Sequence, residues 1–265
     1  MRRIKASNLN RGLVGAWCPS VAGNGLLLPD LSGYGNHGTL KGMTALDWIT
    51  TNGQRGILFN GNNNTTDYAI RLPKNSFDTS IPFSVNTWFV PNNLSLFQQK
   101  YITSKWGASN GRNGYAIQLS ENSANTLAVQ IADSVGRTET TIDLTGFLNG
   151  LVNVAITYDQ SVLKVFRNGN EITSNSINRN AASPAQNLFI GAGHRTDTTI
   201  LGAFTGSVLE VRNHSQILSP SEIKQLYEGG PGYGLRLERK RTRFQVQGFN
   251  FGRYRRQQLI GTGVY

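Results

Sequence analysis

Residues 12–42 read GLVGAWCPSVAGNGLLLPDLSGYGNHGTLKG, and the reading of the whole chain starts there. The stretch opens on a short apolar run, Leu13-Val14-Gly15-Ala16-Trp17. It closes on a loop of turn formers, Asp30-Leu31-Ser32-Gly33-Tyr34-Gly35-Asn36-His37-Gly38. Glycine tolerates positive φ, and Asp and Asn bond back to their own backbone, so such a loop is tightly and specifically wound. A strand running into an elaborate turn is the local grammar of an all-β protein.

The chain continues in that grammar. Phe83-Ser84-Val85-Asn86-Thr87-Trp88-Phe89-Val90 sets Phe83, Val85, Thr87 and Phe89 against Ser84, Asn86, Trp88 and Val90, the period of a strand. Trp88 reads as a core side chain. Runs at 101–105, 114–120, 126–132 and 137–143 are spaced by turns, the spacing of a β sandwich. Residues 151–158 and 162–167 form a hairpin, and Asn168-Gly169 makes a further tight turn of the I′ kind. One helix is expected over 220–228: Ser219 is the N-cap, Pro220 stands at N1, Glu222 completes a capping box and Gly229-Gly230 stops it.

These pieces resemble, in order, a laminin-G-like domain of the bacterial and phage type, a concanavalin A-like jelly roll. The likeness is carried by Gly12–Trp17, Asp30–Gly38, Ile57-Leu58-Phe59-Asn60-Gly61, Tyr68–Pro73, Phe83–Val90, Leu188–Gly191, Phe204–Arg212 and Leu218–Ile223. It implies a two-sheet antiparallel jelly-roll sandwich over residues 12–230, flanked by a basic arm at 1–11 and a basic, aromatic arm at 231–265. A fold of this kind serves many functions, so function has to come from particular residues.

Charge is unevenly placed. The chain has 265 residues and a formal net charge of +11. Residues 231–265 carry eight Lys or Arg and one acid, Glu238, so they hold +7 and the rest of the chain +4. The single cysteine, Cys18, excludes an internal disulfide and reads as a buried thiol. No run approaches the ~18 apolar residues of a membrane span, and the start, MRRIKASNLNRG, has no apolar core of a secretion signal.

The residues that could carry chemistry are few. Clustered carboxylates for glycoside hydrolysis are missing, since Glu210 is the one acid of its strand, and His37, His194 and His214 have no metal or triad spacing. The expectation is therefore a protein that is not an enzyme. In relatives the turn-rich loop and an Asp in the later strand help hold Ca²⁺. Asp30 and Asn36 match that loop, but Leu209 stands where the second carboxylate would be, which implies at most a weak Ca²⁺ and no other cofactor. Trp106, Arg112, Asn113 and Tyr115 surround the 105–114 loop and are the candidate glycan contacts, with 62–67 a second polar loop. Trp106 would serve equally to cover the sandwich edge.

The C-terminal arm interleaves Arg236, Arg239, Lys240, Arg241, Arg243, Arg253, Arg255 and Arg256 with Phe244, Phe249, Phe251, Tyr254 and Tyr265. Arginine forks and aromatic anchors are what docking hot spots are made of, and the same composition suits nucleic acid. The expectation from these features is a structural virion protein of a tailed phage. It would be made in the host cytoplasm and would decorate the capsid by docking its arms on the major capsid protein, as a homo-oligomer, with nucleic acid a lesser partner. The alternative is a carbohydrate-binding module or adhesin.

Overall fold

A computed structural model of the chain describes residues 9–61, 69–94, 100–106, 113–177, 179, 181, 186–196 and 199–235, with the backbone alone taken at 194–196 and 199–201. Among these described residues eighteen strands and one α-helix are formed. In chain order they begin with β1 (Leu13–Trp17), β2 (Leu27–Leu28), β3 (Gly38–Lys41), β4 (Trp48–Thr51), β5 (Gln54–Asn60) and β6 (Ala69–Leu72). Then come β7 (Phe83–Pro91), β8 (Lys100–Trp106), β9 (Gly114–Leu119), β10 (Thr126–Ala132), β11 (Arg137–Asp143) and β12 (Val152–Tyr158). The series closes with β13 (Val162–Arg167), β14 (Asn170–Ser176), β15 (Leu188–Ile190), β16 (Gly193–Thr196), β17 (Thr199–Leu201), β18 (Thr205–His214) and helix α1 (Pro220–Gly229).

Two antiparallel sheets face each other, as the sequence led one to expect. Sheet A runs β14-β13-β12-β7-β18-β5-β4, with β1 also paired to β18. Sheet B runs β11-β10-β9-β8-β15-β6-β3-β2, and β16 pairs with β17 in a separate hairpin. Strand alternation sends Phe83, Val85 and Phe89 of β7 and Val152, Val154 and Ile156 of β12 inward. They meet Tyr115, Ile117 and Leu119 of β9 and Leu127, Val129 and Ile131 of β10 in one core. Phe77, Phe83, Tyr115 and Tyr158 add ring contacts at centroid separations of 5.4–5.9 Å. The Asn168-Gly169 turn between β13 and β14 has φ of 50° and 75°, the left-handed pair that a two-residue I′ turn requires.

The outer face of sheet A is also covered, and Trp88 is buried there as expected of it, beneath α1 and not between the sheets. Trp88 does not enter the sandwich core. It points the other way, with Val90 and Leu209, and Tyr227 of α1 stacks on it at 5.7 Å and 12°. α1 forms where the capping box lies: Ser219 N–H donates to Glu222 Oε2 at 2.7 Å, and Glu222 N–H returns to Ser219 Oγ at 3.3 Å. Its Ile223 and Leu226 pack on Ala155, Phe166, Leu218 and Leu9. Each such side chain contributes about 1.5–3 kcal/mol relative to exposure, which holds a ten-residue helix too short to persist alone. Pro231–Gly234, the start of the stretch expected to be an arm, is docked on the same side: Tyr233 packs against that cluster, and Leu235 joins Leu13, Ala16 and Cys18.

Short strands β2, β3 and β4, the 3₁₀ turn Ala45–Asp47 and the β16–β17 hairpin have no counterpart in the sequence reading. Arg236–Tyr265, residues 1–8, the 62–67 loop and Arg112 lie outside the described residues.

Candidate functional site

The outer face of sheet B is where polar chemistry collects. Registers across the sheet place Glu139, Gln130, Ala116, Ser104, Phe189 and Arg71 in one transverse row. A second row holds Thr141, Ala128, Gln118 and Tyr101. A third holds Arg137, Ala132, Gly114 and Trp106 at the end of the sheet where β8 turns toward β9. Strand alternation puts all three rows on the face away from the core. Tyr101 and Trp106 pack with Ala116 and Ala132, so two aromatic rings share a floor of small side chains.

Two carboxamides stand among them. Gln130 Nε2 donates to Glu139 Oε2 at 2.7 Å, while its Oε1 is buried without a partner. Gln118 is wholly buried, and neither its Oε1 nor its Nε2 has a hydrogen-bond partner. The two lie diagonally across β9 and β10, roughly 7–8 Å apart at Cα. Asn113 Oδ1, beside Trp106, is a third buried carboxamide oxygen without a partner. Buried polar groups are nearly always satisfied, and each one left open costs about 1–3 kcal/mol. Gln118 and Gln130 together give this face its unused hydrogen-bonding capacity.

The candidate glycan contacts divide between the two faces. Trp106 lies on this outer face but is only 7% exposed, so it is not the free-standing platform expected. Tyr115 is corrected outright. It pairs with Lys105, faces inward, packs against Phe77 and Phe83, and its hydroxyl meets Thr103 Oγ1 at 3.2 Å. Burial raises its pKa further above the ordinary phenol range. Tyr115 is a core residue because it shares the parity of Ile117 and Leu119; Gln118 and Gln130, of the opposite parity, were missed. Lys105 is buried at the end of the core, where its Nζ donates to Lys74 O at 2.9 Å and to Phe77 O. Burial pushes its pKa down to about 8, against the pull of Asp78.

The turn-rich loop is braced by its own acid. Asp30 Oδ1 accepts from Ala16 N and Ser32 N, both at 2.9 Å. Its Oδ2 accepts from Ser32 Oγ at 2.7 Å and Asn36 N at 3.0 Å. A carboxylate offers about four lone-pair directions, and these four donors take them. Asn36 spends its Nδ2 on Val14 O at 3.2 Å, and its carbonyl accepts from Trp17 Nε1 at 2.8 Å. The loop expected to hold Ca²⁺ ties β1 to sheet B with those same atoms. Among the described residues no three of His, Cys, Asp and Glu gather as a metal site.

Glu210 is likewise committed. A bulge between Val208 and Glu210 turns both Leu209 and Glu210 to the outer face of sheet A. There the Glu210 carboxylate receives Arg212 Nε, Arg212 Nη2 at 3.0 Å, Asn86 Nδ2 at 3.3 Å and the Gly232 N–H. Cys18 lies buried nearby, and burial with the Glu210 charge pushes its thiol up to about 12, an inert structural thiol.

A family model described as the concanavalin A-like lectin/glucanases superfamily, of the laminin G type, matches residues 62–224, more than half of the chain. The chain belongs to this superfamily. The binding domain of Paraclostridial Mosquitocidal Protein 1 is similar in structure, with a TM-score of 0.63 at 17% identity over 83% of this chain and 52% of that one. The botulinum neurotoxin type G receptor-binding domain gives 0.59 at 15% identity over 82% and 51%. The binding domain of botulinum neurotoxin DC in complex with SialylT gives 0.61 at 13% identity over 83% and 52%. This superfamily member thus spans about half the length of those structures, and at such identities the likeness is one of fold. Among curated proteins none matches the sequence.

Proposed function

We propose that the chain is a carbohydrate-recognising module that holds its glycan on the outer face of sheet B, around Gln118 and Gln130 with Trp106 and Asn113 at one end. The observation that carries this reading is Gln118, whose amide has both its donor and its acceptor unused; it is wholly covered in this structure, so a glycan reaches it only by displacing what lies over the face. A carboxamide that offers N–H and C=O side by side matches two adjacent hydroxyls of a sugar. Aromatic rings over a small-residue floor suit the apolar face of the same ring. The superfamily's description as lectins and glucanases agrees with this reading, as does a structural neighbour solved in complex with SialylT.

Binding fits better than hydrolysis. Glu139 is the one carboxylate on the three rows, whereas glycoside hydrolysis requires a pair about 5–9.5 Å apart. The capsid-decoration role expected from the sequence rests on residues 236–265, outside the described residues, and nothing in the family or structural likenesses supports it.

The test is a glycan array with the full chain, followed by calorimetry on the retained glycans with Gln118→Leu and Trp106→Ala. Each variant should weaken binding at least tenfold. Gln118→Leu should melt no lower than the parent, since it removes an unsatisfied buried amide. A blank array at high protein concentration overturns the reading, and so does a Gln118→Leu protein that binds like the parent.

A further inference from the structure

A pocket lies on the other side of the sandwich, over the outer face of sheet A. It is a cavity of about 350 Å³ between the turn after β1, at Ser20 and Val21, the start of β5, at Gln54, and the segment after α1, at Gly229 and Pro231–Gly234. Small-molecule sites commonly enclose about 300–1,000 Å³. The walls are held from behind. Gly232 N–H donates to the Glu210 carboxylate, and Arg212 Nη2 donates to Tyr233 O at 2.8 Å. Gln225 Nε2 donates to Tyr233 Oη and Asn10 Nδ2 to Gly234 O, both at 3.2 Å. On the facing wall Val21 N and Ala22 N both donate to Cys18 O, which closes the turn. A pocket fixed in this way needs little ordering when a ligand enters.

Glycine lets these walls approach. Gly232 has φ of 80°, and a Cβ there would stand 2.7 Å from Val21 Cγ2 on the facing wall. Gly229 lies against the Tyr233 ring, which a Cβ would strike. The main chain is therefore bare along this wall, and the side chains left to meet a ligand are Ser20, Val21, Gln54, Pro231 and Tyr233. None of the five is charged at neutral pH. Gln54 is half-exposed, and its carboxamide has no hydrogen bond among the described residues. It brings a donor and an acceptor to the pocket side by side, and the Ser20 hydroxyl adds another of each.

We propose that this pocket binds a neutral, hydroxyl-rich ligand of sugar size, a reading that does not rest on the glycan face of sheet B. A charged ligand would lose its water and find no counter-ion on these walls, since Glu210 and Arg212 behind them form a pair with each other. An apolar ligand would leave Ser20, Gln54 and the bare main chain cut off from water and unpaired. A sugar hydroxyl both donates and accepts, so it answers either end of the Gln54 amide and the Ser20 hydroxyl alike. Val21, Pro231 and Tyr233 offer the apolar surface that the C–H face of such a ring requires. A free monosaccharide and the terminal unit of a glycan chain share this chemistry.

The experiment records amide NMR spectra of the full chain as D-glucose, D-galactose or D-mannose is added, then the methyl glycoside of whichever binds. Glucuronate and protonated glucosamine serve as charged counterparts. At least one neutral hexose should move the Gly229, Gly232 and Gly234 amides saturably, and each charged counterpart should bind at least about tenfold more weakly. Gln54→Leu, at a half-exposed position, should melt as the parent does and lose at least about tenfold in affinity. Ser20→Ala, at an exposed position, should weaken binding in the same direction. Equal binding of the methyl glycoside identifies the terminal unit of a glycan, and loss of binding on methylation identifies the free sugar. No shift at Gly232 and Gly234 with any of the three hexoses overturns the proposal. So does a charged counterpart that binds as tightly as the neutral sugar, or a Gln54→Leu protein that binds like the parent. Failure here leaves the sheet B reading standing, because these shifts are read at glycines over sheet A.

Discussion

Glu210 and Arg212, two residues apart on β18, form a forked ion pair with both side chains wholly removed from solvent. Their strand positions put both on the outer face of sheet A, where the carboxylate also takes Gly232 N–H and the guanidinium reaches Tyr233 O. The pair is thus the clasp that fastens the segment after α1. Removing one partner leaves a buried charge unpaired, so Glu210→Gln or Arg212→Met should lower stability by about 3–5 kcal/mol. The double replacement Glu210→Leu with Arg212→Met should cost much less than the two single changes added. Urea midpoints give the energies. Hydrogen exchange at 230–235 should speed up in each single variant.

His214 makes the fold acid-sensitive. It is buried beside that clasp, with Nδ1–H donating to Arg11 O at 3.2 Å, Nε2 buried without a partner, and the Arg11–Glu222 pair close by. Burial pushes its pKa down to about 4; the Arg11 carbonyl and Glu222 pull upward and Arg212 adds to the fall. The ordinary value near 6.5 holds in the unfolded chain. Between these values the unfolded chain binds the extra proton, so stability rises with pH from about 4 to 6.5 and is lost as pH falls through that window. The full difference is about 3 kcal/mol. His214→Gln should shrink the gap in unfolding energy between pH 7 and pH 4.5 by about 2–3 kcal/mol. A gap equal to the parent's would exclude His214 as the cause.

The sequence made the sandwich legible where strands are long and alternate. β7, β10, β11, β13 and the capping box of α1 stand within a residue of where period and cap residues put them. It failed for β2, β3 and β4, whose two to four positions show no period. It also failed in assigning faces. A sandwich whose outer surfaces are covered buries both parities of a strand, so Trp88 and Tyr115 each look like either kind of residue. β9 is buried throughout, and Gln118 within it is marked only by being polar in an apolar run. That was the available signal for the candidate site, and it is weak, because a lone polar residue in a strand ordinarily faces water.

Tyr115 and Trp106 should separate cleanly. Tyr115→Phe removes one buried hydroxyl and leaves Thr103 Oγ1 without its partner, so it should lower stability by about 1 kcal/mol and leave glycan affinity unchanged. Trp106→Ala empties part of the cluster with Tyr101, Ala116 and Ala132, so it should lower stability by about 3 kcal/mol and abolish glycan retention. Trp106→Phe keeps a ring on the alanine floor and should restore most of both. Melting curves and calorimetry on the same four proteins decide it. A Tyr115→Phe loss of binding would return Tyr115 to the site.

Asp30 offers a test of what holds the decisive loop together. Its four accepted hydrogen bonds bind Ala16 of β1 to Ser32 and Asn36, and Ala16 N is buried. Asp30→Ala strands those donors and should cost about 3 kcal/mol. Asp30→Asn keeps the shape but must turn an N–H₂ toward two of the donors, so it should cost about 1–2 kcal/mol. Because the carboxylate is already saturated, Ca²⁺ would have to displace backbone N–H groups to enter. The melting temperature should therefore be the same with millimolar Ca²⁺ and with a chelator. A rise of several degrees in Ca²⁺ that vanishes in Asp30→Asn would show that the loop opens to a cation after all, with the brace as its empty form.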